Sequence, residues 1–399
     1  MSWEKVKLGD IADFSNGINF GKDYYGKGIK LIGVSNFGDR FFPEYESLDE
    51  VKEEVVRKND FLKSGDIVFV RSNGNKALVG RCMLIDCPVA PVTYSGFCIR
   101  ARLKDTTKHY PTFWTYHFKN ISFRRVMSGT AVGTNIQNLS QGRLSTYEAI
   151  VPDFHSQLRI ADILSDYDTL IENNQKQIKL LEEAAQRLYK EWFVDLHFPG
   201  CEDVKIIDGL PEGWTSGVLE DVAINSGKKE KKEKRNNYNY YLPIDCIPKK
   251  SLGYVQVNDV SLAKSSLIGF QKRDIIFGAM RPYFHKVVVA RDKGLTRSTC
   301  FVLNAKEPSY WSYIAMLLFA KDTVDYATQI SVGTTMPYVR WKDMKNMPVI
   351  IPDKDIAENF NKQIQPIIGI IASLSEQIIL LQQARDRLLP KLMSGEIEV

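Results

Sequence analysis

The sequence predicts an α+β chain made of two copies of one mixed unit, each closed by a long helix. Three observations carry that expectation. The chain has 399 residues, more than one ordinary core organises. Shifted by 200 positions it matches itself: Pro152 and Asp153 fall on Pro352 and Asp353, and Ile171, Gln177, Ile178, Leu180, Leu181, Ala184, Arg187 and Leu188 fall on identical residues. Both copies end in a stretch whose apolar residues recur every seven positions, the signature of a coiled-coil seam.

The elements follow in the same order in each copy. "WEKVKLGDIADFSNG" (3–17) opens the first and "WTSGVLEDVAINSG" (214–227) the second. A region rich in Gly, Asn, Tyr and Lys comes next, in which alternating runs such as "DIVFV" and "HKVVVA" read as strands. Laying "SGDIVFVRSNGNKALVGR" (64–81) on "KRDIIFGAMRPYFHKVVVAR" (272–291) puts Arg71 and Arg281 in equivalent places after a buried strand. A short aromatic helix follows, "PTFWTYHFKNI" or "PSYWSYIAMLLF", then a V-G-T turn, an apolar strand ending in Pro, and the long helix. "FPGCEDVKIIDGLPEGW" (198–214) joins the copies. The boundaries expected are 1–154 and 196–352 for the two loop-rich regions, the second including the linker, and 155–195 and 353–399 for the two helices.

On the first helix the seam comprises Leu164, Ile171, Ile178, Leu181 and Leu188; on the second it comprises Ile364, Ile371, Leu374, Ile378, Leu381 and Leu388. Residues 158–193 would span about 54 Å at ~1.5 Å per residue, too long for one small domain to cover. An amphipathic helix lying on its own domain is the alternative. Asn174 sits on the seam, as a register-fixing or a merely tolerated polar residue. Pro366 is expected to kink or break the second helix and Pro390 to end it near Leu389.

Composition narrows the function. Hydrophobic residues are 44% and charged residues 25%, as in soluble globular chains. The net charge of +5 permits a polyanionic partner without demanding one. Six cysteines form no C-x-x-C pair, which argues against a zinc or redox motif and suits a reducing cytoplasm. The start lacks a signal-peptide pattern, and the longest apolar stretch, "YWSYIAMLLFA", is short for a membrane span. No Walker loop and no G-x-G-x-x-G after a strand is present. "DEVKEEV", with Glu50 and Lys52, reads as a charged helix surface rather than a nuclease motif, and the five histidines are dispersed. No catalytic or metal-ligating set emerges; the chain reads as a binder.

What it could bind is suggested by amides, guanidiniums and aromatic rings on turns. In the first copy these are Lys22, Tyr25 and Lys27, then Arg71, Asn73, Asn75 and Lys76, then Thr134, Asn135 and Gln137. In the second they are Lys228, Lys229, Lys231, Lys232 and Arg235, then Arg281, Tyr283, His285 and Lys286, then Thr334, Thr335, Tyr338 and Arg340. Arg reads guanine edges and Asn or Gln reads adenine, while Lys, Ser, Thr and backbone amides grip phosphates. A lysine run is equally a solvated loop, and a Gly-Thr pair equally a turn-former.

The stretches "RLYKEWFVDLHFPGCEDVKIIDGLPEGW", "RDRLLPKLMSGEI", "SGDIVFVRSNGNKALVGR" and "GTTMPYVRWKDMKNMPVIIP", taken in order, resemble the specificity subunit of type I restriction–modification systems over essentially the whole chain. The resemblance implies two mixed α/β target-recognition domains separated by an antiparallel two-helix coiled coil, with a pseudo-two-fold internal duplication. It implies that each domain reads half of a split site in double-stranded DNA. It also implies that the helices set the spacer and dock two adenine methyltransferase subunits, with motor-nuclease subunits joining for restriction. Catalysis, and with it S-adenosylmethionine, ATP and Mg, would lie on those partners; this chain would carry no cofactor and no catalytic residue. Because the two loop sets differ, the site should be asymmetric. A stand-alone DNA-binding regulator built on a duplicated domain is the alternative.

Overall fold

The computed structural model describes residues 3–38, 40–73, 78–88, 90–127 and 138–399. The chain folds as two compact units. Unit 1 comprises Met1–Thr169 with Gln382–Val399, and unit 2 comprises Leu170–Leu381. Each long helix is therefore shared between the units.

In unit 1, Trp3–Lys7 pairs antiparallel with Glu148–Pro152, the strand that leads into the first long helix. A four-stranded antiparallel sheet runs in the order Ala12–Asn16, Cys98–Leu103, Ile67–Val70, Cys82–Leu84. Ile67–Val70 is apolar on both faces and buried throughout, as expected of a strand covered on both sides. A three-stranded sheet places Tyr25–Ile32 between Asp49–Val51 and Val92–Tyr94. Within it "DEVKEEV" is a strand followed by a short 3-10 turn at Glu53–Val55, not a helix. The cross-strand pair Lys30–Glu50, at 2.8 Å, explains the choice. Beside the Lys30 ammonium and the Gly28 N–H, the Glu50 carboxyl is held below its usual range. The core gathers Phe69, Trp114, Phe118 and Phe123 with Ile160, Leu164, Leu389 and Leu392 from the long helices.

Unit 2 repeats the terminal strand pair and the four-stranded sheet, but its three-stranded sheet is antiparallel throughout, whereas in unit 1 Tyr25–Ile32 runs parallel to Val92–Tyr94. Thr215–Val218 pairs with Pro348–Ile351. The four-stranded sheet is Ala223–Asn225, Cys300–Ala305, Ile275–Gly278, Val287–Val289, and the three-stranded one is Lys228–Glu230, Leu267–Phe270, Gly294–Arg297. Its core packs Trp311, Tyr313 and Phe319 with Phe193, Ala185, Phe360, Ile364 and Ile368.

The first long helix is Phe154–Phe193 and the second Lys354–Ser394. The recurring Pro-Asp has a local cause: Asp153 Oδ1 accepts the Ser156 N–H at 3.0 Å, and Asp353 Oδ1 accepts the Asp355 N–H at 2.8 Å. Each aspartate satisfies an orphan donor at a helix start. Within unit 2 the helices run antiparallel, because Phe193 packs on Phe360 at 4.8 Å while Asn174 Nδ2 donates to Gln377 Oε1 at 3.2 Å. Ile171, Ile178, Ile371, Leu374 and Ile378 form the seam there, with Leu181 and Leu381 half-buried at its edge. The outer heptad positions do something else: Leu164 and Leu388 pack into the core of unit 1, Leu188 and Ile364 into that of unit 2.

The second helix runs through both prolines. Pro366 and Pro390 lie on its exposed face, where the carbonyls deprived of a partner meet water instead of a dry core, which lessens the penalty. The helix ends instead where Gly395 adopts φ +76°. By length and composition this helix could cross a membrane, beyond what short apolar runs suggested. Its Ile364, Ile371, Leu374 and Ile378 are buried within unit 2.

Candidate nucleic-acid interface

In unit 1 the segment from Gly21 to Gly28 is exposed, and it carries Lys22, Tyr25 and Lys27. Phe20 meets the Tyr25 ring edge-on at 5.1 Å, and Lys52 Nζ stands 5.8 Å over the Tyr24 ring. Arg71 follows the buried strand Ile67–Val70 and is half-exposed; its Nη1 donates to Gly96 O at 3.1 Å. Asn73 is half-exposed beside it. The chain returns to this point after the V-G-T segment, with Leu139 N–H donating to Arg71 O at 2.8 Å. Asn75, Lys76, Thr134, Asn135 and Gln137 lie outside the described residues.

In unit 2 the lysine run is ordered rather than a plain loop. Lys228 and Lys229 sit on an edge strand paired with Leu267–Phe270, with both side chains exposed. Lys231 is exposed at the turn that follows, and Lys232 opens a 3-10 helix, Lys232–Asn237. Charged lysines on an edge strand are a common guard against stray pairing. Arg235 is half-buried and its Nη1 donates to Ser261 O at 3.2 Å.

Arg281 and His285 bracket a 3-10 turn, Pro282–Phe284, at φ +50° and +52°, a left-handed backbone unusual for residues with side chains. Arg281 N–H donates to Pro337 O at 2.7 Å and Nη2 to Thr335 O at 3.3 Å. Those bonds fasten the turn to a tight hairpin in which Val332 and Tyr338 exchange backbone bonds of 2.9 and 3.0 Å. Thr334 and Thr335 are exposed at the hairpin tip, Tyr338 is half-buried, and Arg340 is exposed but held by Asp343 at 2.6 Å.

Three readings need correction. His285 turns inward: it is buried, its Nε2 lies 2.9 Å from Phe319 O, and burial depresses its imidazole pKa. Lys286 spends its ammonium on Ile244 O at 2.6 Å. Of this stretch, Tyr283 is the side chain left in solvent. Thirdly, Arg71 and Arg281 are not equivalent. Arg71 N–H donates to Phe97 O at 2.8 Å, and the matching bond in unit 2 runs from Ala279 N–H to Thr299 O at 2.9 Å. Arg71 thus answers to Ala279, and Arg281 to Asn73. Two residues along an extended chain restore the same side, but the backbone positions differ.

The helices, expected to dock partners, hold a second candidate surface whose residues the sequence reading did not single out. Along the heptads, the identities between the copies fall on the seam or on one flank, the flank of Gln177, Leu180, Ala184 and Arg187 and of Gln377, Leu380, Ala384 and Arg387. The other flank differs throughout: Glu172, Lys176, Lys179, Glu183 and Gln186 face Ala372, Glu376, Ile379, Gln383 and Asp386 as counterparts. In an antiparallel pair the like flanks lie on one side. In unit 2 that side exposes Leu170 (50%), Leu180 (64%), Ile370 (48%) and Leu380 (59%). By the Asn174–Gln377 register, Leu170 stands level with Leu380, and Leu180 with Ile370. Apolar side chains repeated symmetrically in solvent make this flank a candidate docking face.

The chain is similar to known proteins over nearly its whole length. The profile of the type I restriction modification DNA specificity domain matches residues 1–183 and again 211–386. The MjaIX type I restriction enzyme specificity subunit of Methanocaldococcus jannaschii is 28% identical over 423 aligned residues, covering 100% of this chain and 94% of that protein. The HindI type I restriction enzyme specificity subunit of Haemophilus influenzae is 21% identical over 492 aligned residues, covering 99% of each. The crystal structure of the S subunit of a type I restriction–modification system from M. genitalium superposes with a TM-score of 0.60 at 16% identity, covering 98% of this chain and 96% of that one.

Proposed function

The chain belongs to the type I restriction–modification DNA specificity family, and from that premise we propose that it selects the DNA site at which a methyltransferase and a motor-nuclease act. Unit 1 reads one half of a bipartite double-stranded site and unit 2 reads the other. The shared helices fix the gap between the halves. Two copies of one adenine methyltransferase subunit dock on the helix flank that carries Leu170, Leu180, Ile370 and Leu380. Chemistry, with S-adenosylmethionine, ATP and Mg, belongs to the partners.

One observation carries this reading: the pattern in which the copies agree and differ. The helix flank is closely similar in the two copies, as a surface for the same partner twice should be. The reading loops differ, "RSNGNK" against "MRPYFH", as two different half-sites require. Half-site readers sit about one DNA turn apart, ~34 Å, and helices of 40 and 41 residues have the length to set such a distance.

Sequencing the methylated adenines of the host, with and without this gene, tests it. A gapped asymmetric motif should vanish on deletion, and exchanging residues 1–154 for those of a relative should alter only one half. A motif that survives deletion, or changes in both halves, contradicts the assignment.

A further inference from the structure

Phe97 is 62% exposed, yet the turn that carries it has almost no freedom. Gly96 N–H donates to Ile18 O at 2.6 Å, Cys98 N–H to Ser95 O at 2.8 Å, and Ser95 N–H to Ile32 O at 2.9 Å. Phe97 O accepts from both Arg71 N–H (2.8 Å) and Ser72 N–H (3.3 Å), while Arg71 Nη1 braces Gly96 O. A Cβ on Gly96 would stand 2.0 Å from Asn19 Oδ1, so a side chain there would have to displace the Asn19 amide. A phenyl ring is thus held in water on a rigid mount.

A lone exposed apolar residue is ordinary. The internal duplication supplies the second observation. Unit 2 turns at the same point and shares one of these bonds, Ala279 N–H to Thr299 O, but carries Ala279 and Thr299 where unit 1 carries Arg71 and Phe97. That anchoring bond recurs and the side chains beside it do not. In a subunit that reads two different half-sites, a fixed mount with changed side chains is where discrimination resides.

Resting on the function proposed above, we infer that Phe97 is a specificity contact of unit 1 that packs on the C5 methyl group of one thymine in its half-site. That methyl is the apolar feature a base pair shows in the major groove, and a phenyl ring is among the side chains that meet it. Arg71 acts here as the positioning residue, through Gly96.

The test uses the full chain bound to its methyltransferase and duplexes carrying the methylated motif. Each thymine in turn is replaced by deoxyuridine, which removes the methyl group alone. One replacement, in one half-site, should weaken binding about fourfold, the size of one buried methyl-sized group. Phe97→Ala should bind the thymine duplex about as weakly and be indifferent to that uracil, while Phe97→Leu should keep the sensitivity. Second-half replacements should act equally on all three proteins. The inference is overturned by specific binding without such coupling, by a half-site lacking thymine on both strands, or by a Phe97→Ala loss that is uniform over all DNA sequences, the behaviour of a wedge between base steps. Absence of any site preference would instead remove the functional reading itself.

Discussion

Asp168 and Arg385, 217 residues apart in sequence, form an ion pair inside unit 1 with only 15% and 20% of their side chains exposed. Tyr116 donates its hydroxyl to the other carboxylate oxygen at 2.5 Å, and Asp386 takes a second guanidinium N–H at 2.8 Å. The residues 200 positions away, Met316, Ile368 and Ala185, are all buried and apolar. The same junction is thus solved once with charge and once with hydrocarbon.

Removing one member leaves the other poorly solvated. Asp168→Asn should destabilise unit 1 by about 1–3 kcal/mol, read as a lower denaturant midpoint. The triple variant Tyr116→Met, Asp168→Ile, Arg385→Ala, which copies unit 2, should recover most of that loss. A triple variant weaker than the single one would show that the junctions are not interchangeable.

The helix flank predicts stoichiometry. Leu180→Asp and Leu380→Asp alter exposed side chains, so folding should be unchanged. Each should cost one of two methyltransferase copies in the mass of the assembled complex, and the pair should cost both. Full assembly of the double variant would exclude this flank as the docking face.

The lysine strand and turn predict a salt effect. Lys231→Gln with Lys232→Gln should weaken binding to all DNA sequences alike and flatten the slope of log affinity against log salt by up to ~0.9 per lost phosphate contact. An unchanged slope would leave these lysines as solvated surface.

The buried histidine predicts an acid limb. His117, packed among aromatic rings with Nε2 at 3.0 Å from the Tyr147 hydroxyl, is pushed down by burial to about 4. Below the ordinary value near 6.5 the unfolded chain takes up a proton that the folded one refuses. Stability is therefore full above that value and falls as pH drops toward 4, by on the order of 3 kcal/mol in total. His109 and His285 shift the same way, also through burial. His117→Phe should flatten the loss between pH 6.5 and 4.5 in thermal melts, and an unaltered limb would assign it to other groups.

The parts of this molecule legible in sequence are those governed by periodicity. Seven-residue spacing marks the seam at Ile171, Ile178, Ile371 and Ile378, and the repeated Pro-Asp marks both helix starts. Where side-chain direction depends on backbone geometry, the pattern is silent. His285 stands in a polar stretch, yet a left-handed turn sends it into the core. Phe97, in "TYSGFCIR", carries no sequence signal of the turn at Gly96 that lifts it into solvent. The offset between the copies changes inside the loops, so aligning Arg71 with Arg281 by eye misses by two positions. Lys228 and Lys229 look like loop because charge masks an edge strand.

The ion pair at one junction also bears on descent. In a dimer of identical halves every position occurs twice, so residues 168 and 368 would be one residue, as would 185 and 385. An aspartate at the first and an arginine at the second would then appear at both junctions. Here the charges stand at one junction only, with isoleucine and alanine at the other. Two free first halves brought together in this register would set Asp168 against Ala185 on both sides, two acids without a base. The pair is a mark of asymmetry that identical halves cannot keep, and it makes each half the complement of the other.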